Sequence, residues 1–476
     1  MLARVAVAAL SFAIPLALAR VLLPASYGTF KQAWLLSTTL YLVLPFGLTP
    51  SLVYFVPREP ARKRLFVSHV LLMTTAVGIL AALVLLAAGP LVAGAFHNDE
   101  LQHLMPWVAA FTAFKLAGSS FDVVYMSEGR IKASALVRAS SEALYTVCLI
   151  TGALWTRSVE GAFAGVTVAT FARALACWIA LVREHGLAVE WRDLKRQLAY
   201  ALPFGAAFAI IIPQQQFHSY LVSAAVTASA FAVYSVGCFQ LPIVDMLYTP
   251  VSEILQLGVA EYDAKGDNAG ALRLFREAVT RLSFVFVPAM ALLGIAAPTL
   301  IGFLFTDRYL DAVPIFRLAI ISIPMAALPL DGVMRARAQN NFMFRVSVLK
   351  VAMTVPLVWA GLRIFGPIGA LGGWICAEET CRAILLHRAA RLFHTTIPGV
   401  LPRELWLQAA AAAIATAPGA LALHVLGGPP LVRLCAAGVM FGMAYVAVLR
   451  IFGVLPPVRS WIPQRKSILL EMPEAA

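Results

Sequence analysis

Lys115, Arg173, Asp245, Glu378 and Glu379 each fall deep inside a long hydrophobic stretch, where an apolar chain has no routine use for charge. Charge at membrane depth is costly, so such residues are functional candidates by default. Lys115 and Arg173 could receive an anion or belong to a buried structural pair. Asp245, Glu378 and Glu379 could neutralise those cations or carry a coupling proton or sodium ion. Arg20, Lys31 and Arg317 lie nearer the ends of their stretches, where they would form a cationic exit or simply snorkel to the interface. The run Gln214-Gln215-Gln216-Phe217-His218 is polar at depth and offers hydrogen bonds to a ligand or to neighbouring helices. His218 is in addition a candidate proton site.

The absent motifs narrow the chemistry. No Gly-rich nucleotide loop, HExxH or GxSxG occurs, so neither ATP hydrolysis nor another enzymic activity is indicated, and no cofactor is expected. The cysteines Cys148, Cys177, Cys238, Cys376, Cys381 and Cys435 include no CxxC and read as small packing residues, not as a metal site or disulfides.

The elements that must position these groups are membrane helices. Hydrophobic residues make up 61% of the chain and charged ones 13%, with a mean hydropathy of +0.83. Apolar runs recur at about the 20 residues needed to cross a hydrocarbon core as a helix. The chain reads as an all-α polytopic membrane protein with about fourteen spans. The first, Leu2 to Leu23, also has the shape of a cleavable signal, with Ala17-Leu18-Ala19 as the site. It reads as a span because Ala199 to Val222 is its equivalent further on. At about 1.5 Å per residue, Lys115 lies about 16 Å below the external end of span four and Arg173 about 20 Å below that of span six. Pro15, Pro45, Pro213, Pro242 and Pro250 lie within spans and should kink or unwind them.

The spans repeat. GPLVAGAFHNDELQHLMP at 89–106 lies over APTLIGFLFTDRYLDAVP at 297–314, matching Pro90, Gly94, Asp99 and Pro106 to Pro298, Gly302, Asp307 and Pro314 at an offset of 208. Asp122 falls on Asp331 at 209, and Gly161-Ala162 on Gly369-Ala370 at 208. Matched aspartates point to shared architecture, such as capping or packing, more than to binding. The expected organisation is a six-span bundle at 1–183, a cytoplasmic linker at 184–198, a second six-span bundle at 199–392, and two further spans with a tail at 393–476. An even number of spans between the copies sets them the same way up, as in parallel-repeat transporters.

Basic residues occupy every second link. Arg58, Arg62, Lys63 and Arg64 fall in one; Arg130, Lys132 and Arg138 in another; Arg183, Arg192, Lys195 and Arg196 in a third; the tail holds Arg450, Arg459, Arg465 and Lys466. The alternate links, such as residues 97–100 and 223–229, hold almost none. By the positive-inside rule both termini are cytoplasmic. The net charge of +13 is therefore loop bias and not a nucleic-acid footprint. No external link is long enough to hold a soluble catalytic domain.

Against this background ALARVLLPASYGTFKQAW resembles the opening motif of bacterial polysaccharide and oligosaccharide flippases, in which an Arg ends span one and a Pro/Tyr-Gly-Phe turn opens span two. The segments LPFGAAFAIIIPQQQFHSYLVS, SAFAVYSVGCFQLP, Pro250 to Arg281 and FTDRYLDAVPIFRL are similar to the seventh to tenth spans of that family in order and spacing. The resemblance covers nearly the whole chain and implies the multidrug/oligosaccharidyl-lipid/polysaccharide exporter superfamily. It departs at the start, where family members often carry a longer N-terminus, so Met1 reads as a late start.

The resemblance implies two six-helix bundles around a central cavity, a bacterial inner-membrane location, and a lipid-linked oligosaccharide as cargo, with a polyprenyl diphosphate as carrier. A glycan polymerase and a chain-length regulator are the implied protein partners. Physically, a lipid diphosphate cannot cross hydrocarbon unaided, since desolvating each charge costs several kcal/mol. A flippase needs a wet, basic cavity for the head group while the lipid tail stays in the bilayer. Lys115 and Arg173 would line it, Gln214, Gln215 and His218 would meet the sugar, and Arg20, Lys31 and Arg317 would flank the exit. The competing expectations are a cation-coupled multidrug-type antiporter and, from another class, a membrane-embedded glycan polymerase or acyltransferase.

Overall fold

The computed structural model describes residues 2–239 and 242–454, and every regular element among them is helical. The first helices are α1 (Leu2–Val21), α2 (Pro24–Val43), α3 (Leu48–Arg58), α4 (Lys63–Ala95), α5 (Asp99–Ala117), α6 (Phe121–Ser127), α7 (Ile131–Thr156) and α8 (Val159–His185). There follow α9 (Trp191–Ala225), α10 (Ala228–Gly237), α11 (Pro242–Ala264), α12 (Asn268–Phe305), α13 (Val313–Ala319), α14 (Leu330–Ala336) and α15 (Asn340–Leu392). The short α16 (Ile397–Val400), α17 (Arg403–Val425) and α18 (Pro430–Ile451) complete the order. Of the basic tail residues, Arg459, Arg465 and Lys466 lie outside the described residues.

The caps are local and readable. Asn98 accepts from the Glu100 backbone N–H at the start of α5, Ser158 from Gly161 at the start of α8, and Thr227 from Ala230 at the start of α10. Each satisfies a donor that the first helical turn leaves without a partner.

Two compact units form. One comprises Met1–Pro242, Ile301–Ala319 and Asn341–Arg382; the other comprises Ile243–Leu300, Ile320–Asn340 and Ala383–Ala476. In the first unit α5 packs on α4 and α8, α7 on α8 and α1, and α2 on α5 and α10. Phe30, Phe66, Phe111 and Phe163 are among its largest fully buried side chains. In the second, α17 and α18 pair with each other, and a core of Val287, Ala411, Ala412, Ala415, Phe441 and Tyr445 binds them to α12.

The sequence repeat reappears as structure. α6 and α14 are both seven residues long and are separated by 209 positions at each end. α7 and α8 meet along glycines: a Cβ at Gly152 would lie 2.1 Å from the Gly161 carbonyl oxygen, and one at Gly165 would lie 2.0 Å from that of Cys148. In α15 the equivalent Gly361 and Gly373 would meet the carbonyl oxygens of Gly369 and Leu357 at 2.1 and 2.3 Å. Absent side chains let two membrane helices touch backbone to backbone.

Ten helices among the described residues are long and apolar enough to cross a membrane. The expectation of about fourteen differs in four places: expected span one enters only as the shorter apolar helix Phe12–Val21, and the other three have physical reasons. α15, 53 residues long, reverses at Gly366 (φ 65°, ψ −152°) and holds both spans expected there. Expected span four is broken between α5 and α6, and expected span eight between α10 and α11. Pro45 stands in the break between α2 and α3, and Pro242 opens α11, where the N–H a proline lacks is not needed. Pro15, Pro213 and Pro250 lie inside their helices.

α9 also starts earlier than expected, inside the 184–198 stretch, because that stretch is tied to the first six helices. Buried Asp193 pairs with Arg62 at 3.1 Å. Gln197 donates to Ser51 at 2.9 Å, and the Ala188 N–H to Ser68 at 3.1 Å.

Candidate functional site

The residues of this site come from five helices of the first unit. α7 presents Arg138, Glu142 and Tyr145 at i, i+4 and i+7, a spacing that sets them on one face. α5 brings Lys115 in its last turn, α6 brings Asp122 in its first, and α8 and α2 add Arg173 and Tyr41. Together they line a polar cavity of about 80 Å³. Three cations, Lys115, Arg138 and Arg173, face two carboxylates, Asp122 and Glu142, which leaves one positive charge in excess.

The two cations singled out in the sequence are held differently. The Arg173 guanidinium donates to Asp122 at 2.7 Å and to the Gly118 carbonyl at 3.2 Å. That carbonyl lies in the break between Ala117 and Phe121, where its only backbone donor among the described residues is the Phe121 N–H at 3.5 Å, which leaves room for the guanidinium. Lys115 has no carboxylate partner among the described residues; its ammonium instead lies over aromatic rings, 4.8 Å from the centroids of Tyr41 and Tyr145. Such contacts strengthen where water is excluded. The Tyr145 hydroxyl, on a residue only 8% exposed, has no hydrogen-bond partner among the described residues.

The remaining candidates lie apart from this cavity. Arg20 ends α1 and donates at 2.5 Å to the Phe303 carbonyl in the last turn of α12, the position where a cation complements a helix C-terminus. Lys31 lies over the Tyr27 ring at 5.5 Å, and Arg317 is exposed on α13. Gln214 donates to Thr354 of α15 at 2.9 Å, Gln215 is exposed, and His218 shares a 2.6 Å hydrogen bond with Tyr234. Gln214 and His218 thus make hydrogen bonds between helices. Asp245 is exposed near the start of α11.

Glu378 and Glu379 form a second charged group in the same unit. Glu378 pairs with Lys350 at 3.2 Å, and Glu379 approaches Arg382 at 3.8 Å with neither carboxylate oxygen hydrogen-bonded among the described residues. Adding 209 to Ser141, Thr170 and Arg173 gives Lys350, Glu379 and Arg382. The two polar groups occupy equivalent positions of the repeat, with an Arg in both copies at 173 and 382 and different residues at the other two positions. In the other unit Asp331, the match of Asp122, likewise binds side-chain donors: Ser252 at 3.0 Å, Tyr248 and Arg335.

Sequence reasoning missed Tyr41, Arg138, Glu142 and Tyr145, and treated Asp122 as architecture alone. Arg138 was counted with a basic loop, but α7 begins at Ile131 and carries it on its second turn. The i, i+4 spacing of Arg138 and Glu142 was the signal available for both.

A family profile described as polysaccharide biosynthesis protein matches residues 17–314. No curated protein sequence matches the chain significantly. Among solved structures, the chain is similar to a lipid II flippase, MurJ, in an inward closed conformation, at 13% identity and a TM-score of 0.74, covering 95% of this chain and 98% of that one. It is also similar to a multidrug resistance MATE family transporter of the MOP superfamily in its inward-facing conformation, at 13% identity and a TM-score of 0.62 over 81% of this chain and 98% of the other. A MOP superfamily transporter from Pyrococcus furiosus gives 13% identity and a TM-score of 0.56 over 82% and 93%. The fold is that of MOP-superfamily transporters, in a multi-pass membrane protein.

Proposed function

The chain belongs to the polysaccharide biosynthesis protein family, and from that premise we propose that it flips lipid-linked oligosaccharide or polysaccharide precursors across the bacterial inner membrane. The cargo enters from the cytoplasmic leaflet and leaves outside, by alternating access between the halves 1–183 and 199–392. Lys115 carries this reading: it is a membrane-depth cation without a carboxylate partner among the described residues, beside Arg138 and Arg173 in a cavity of net positive charge. Such a cavity suits a diphosphate head group and opposes a cationic drug. Moving a charge across the membrane also couples to its potential, at about 2.3 kcal/mol per elementary charge per 100 mV.

Glu379 is the ion-coupling candidate, since its carboxylate oxygens are not hydrogen-bonded among the described residues, and a proton or sodium ion is the ion it would carry. The basic links put both termini in the cytoplasm. A glycan polymerase and a chain-length regulator are the expected protein partners, with no nucleic acid among its ligands. The second reading, a cation-coupled multidrug-type antiporter, draws on the fold shared with a multidrug resistance transporter.

Proteoliposomes separate the two. The flippase reading expects inward-to-outward movement of a fluorescent polyprenyl-diphosphate-linked trisaccharide and no uptake of ethidium. Ethidium exchange without glycolipid movement would establish the antiporter instead.

A further inference from the structure

The Lys115 ammonium lies 4.8 Å from the centroids of Tyr41 and Tyr145, 5.2 Å from Phe111 and 5.9 Å from Trp34. The rings brace one another: Trp34 stacks on Phe111 with centroids 6.0 Å apart and meets Tyr145 edge-on at 5.8 Å. Glu142 lines the same cavity, yet neither Lys115 nor Glu142 makes an ion pair among the described residues. Opposite charges sharing a space of low dielectric attract strongly, so an unpaired lysine there needs something to hold it. Ring faces do so, because their electron-rich centres attract a cation without neutralising it. The other carboxylate of the cavity, Asp122, is occupied by Arg173.

We propose that Trp34, Tyr41, Phe111 and Tyr145 are positioning residues that hold Lys115 charged and apart from Glu142, so that the cavity presents an unpaired cation to the diphosphate of a lipid-linked glycan. This rests on the flippase reading. The cage explains why aromatic side chains gather around one polar cavity, and it assigns them an effect on substrate capture. Without the rings, Lys115 collapses onto Glu142 and the cavity loses its free charge.

The test replaces Tyr145 with Phe and then with mono-, di- and trifluorinated phenylalanine, which weaken the ring's attraction for a cation at almost constant size. The full-length protein in proteoliposomes is assayed for binding and flipping of a polyprenyl-diphosphate-linked trisaccharide. Tyr145→Phe keeps the half-saturation concentration within about twofold, and successive fluorination raises it to about tenfold with the maximal rate unchanged. Tyr145→Leu raises it further, and adding Glu142→Gln to Tyr145→Leu restores it. A flat fluorination series in a chain that flips the probe, or no restoration by Glu142→Gln, overturns the cage and leaves the flippase reading standing. A wild-type chain that neither binds nor flips the probe overturns both.

Discussion

The Arg173 guanidinium and the Asp122 carboxylate meet at 2.7 Å, joining α8 to the point where α5 breaks and α6 begins. Both side chains are mostly buried, at 18% and 14% exposed. The pair closes one wall of the polar cavity while Lys115 remains available on another. Of the cavity's three cations, Arg173 is thus structurally committed and Lys115 is not.

Breaking this pair from either end should weaken the fold as well as transport. Asp122→Ala strands a buried guanidinium and should lower stability by on the order of 3 kcal/mol. A melting curve of the detergent-solubilised protein checks this. Asp122→Ala and Arg173→Ala combined should cost less than the sum of the two, and strict additivity would mean that the contact contributes nothing.

The glycine crossings of the repeat should be equally intolerant in both copies. Gly165→Leu pushes a side chain into the Cys148 carbonyl, and Gly373→Leu into that of Leu357. Overpacking of this kind costs about 1–3 kcal/mol or more. Thermal stability by fluorescence-detected size exclusion should fall for both variants. A large fall in one and none in the other would separate the two hairpins.

Glu379→Gln removes the carboxylate from the second polar group while keeping its shape. If Glu379 carries the coupling ion, flipping should lose its dependence on an imposed proton or sodium gradient while a basal rate persists. Unchanged gradient dependence would assign Glu379 to its contact with Arg382 alone.

The fold was legible to the degree that membrane physics writes itself into composition. Apolar runs and the 208–209 offset pointed to an all-helical repeat, and Gly161 and Gly369, matched in that repeat, each lie at a close helix crossing in the structure. Helix breaks were harder to read. Nothing apolar distinguishes the stop at Gly118 from continuous helix, whereas the reversal at Gly366, followed by Pro367, fell between two expected spans. In the site, Lys115 and Arg173 stood out because charge at depth is rare. Tyr41 and Tyr145 did not, because an aromatic residue in a membrane helix is ordinary until the cation beside it is known. Arg138 and Glu142 were obscured by their nearness to a basic loop.

The central claim is that this chain moves an anionic glycolipid by way of the unpaired charge on Lys115. The most direct measurement is the flipping rate of a fluorescent polyprenyl-diphosphate-linked trisaccharide in proteoliposomes, for the wild type and for Lys115→Ala at matched reconstitution. The account predicts rapid flipping by the wild type and a fall of about tenfold or more in Lys115→Ala with its melting temperature preserved. Equal rates in the two would contradict it.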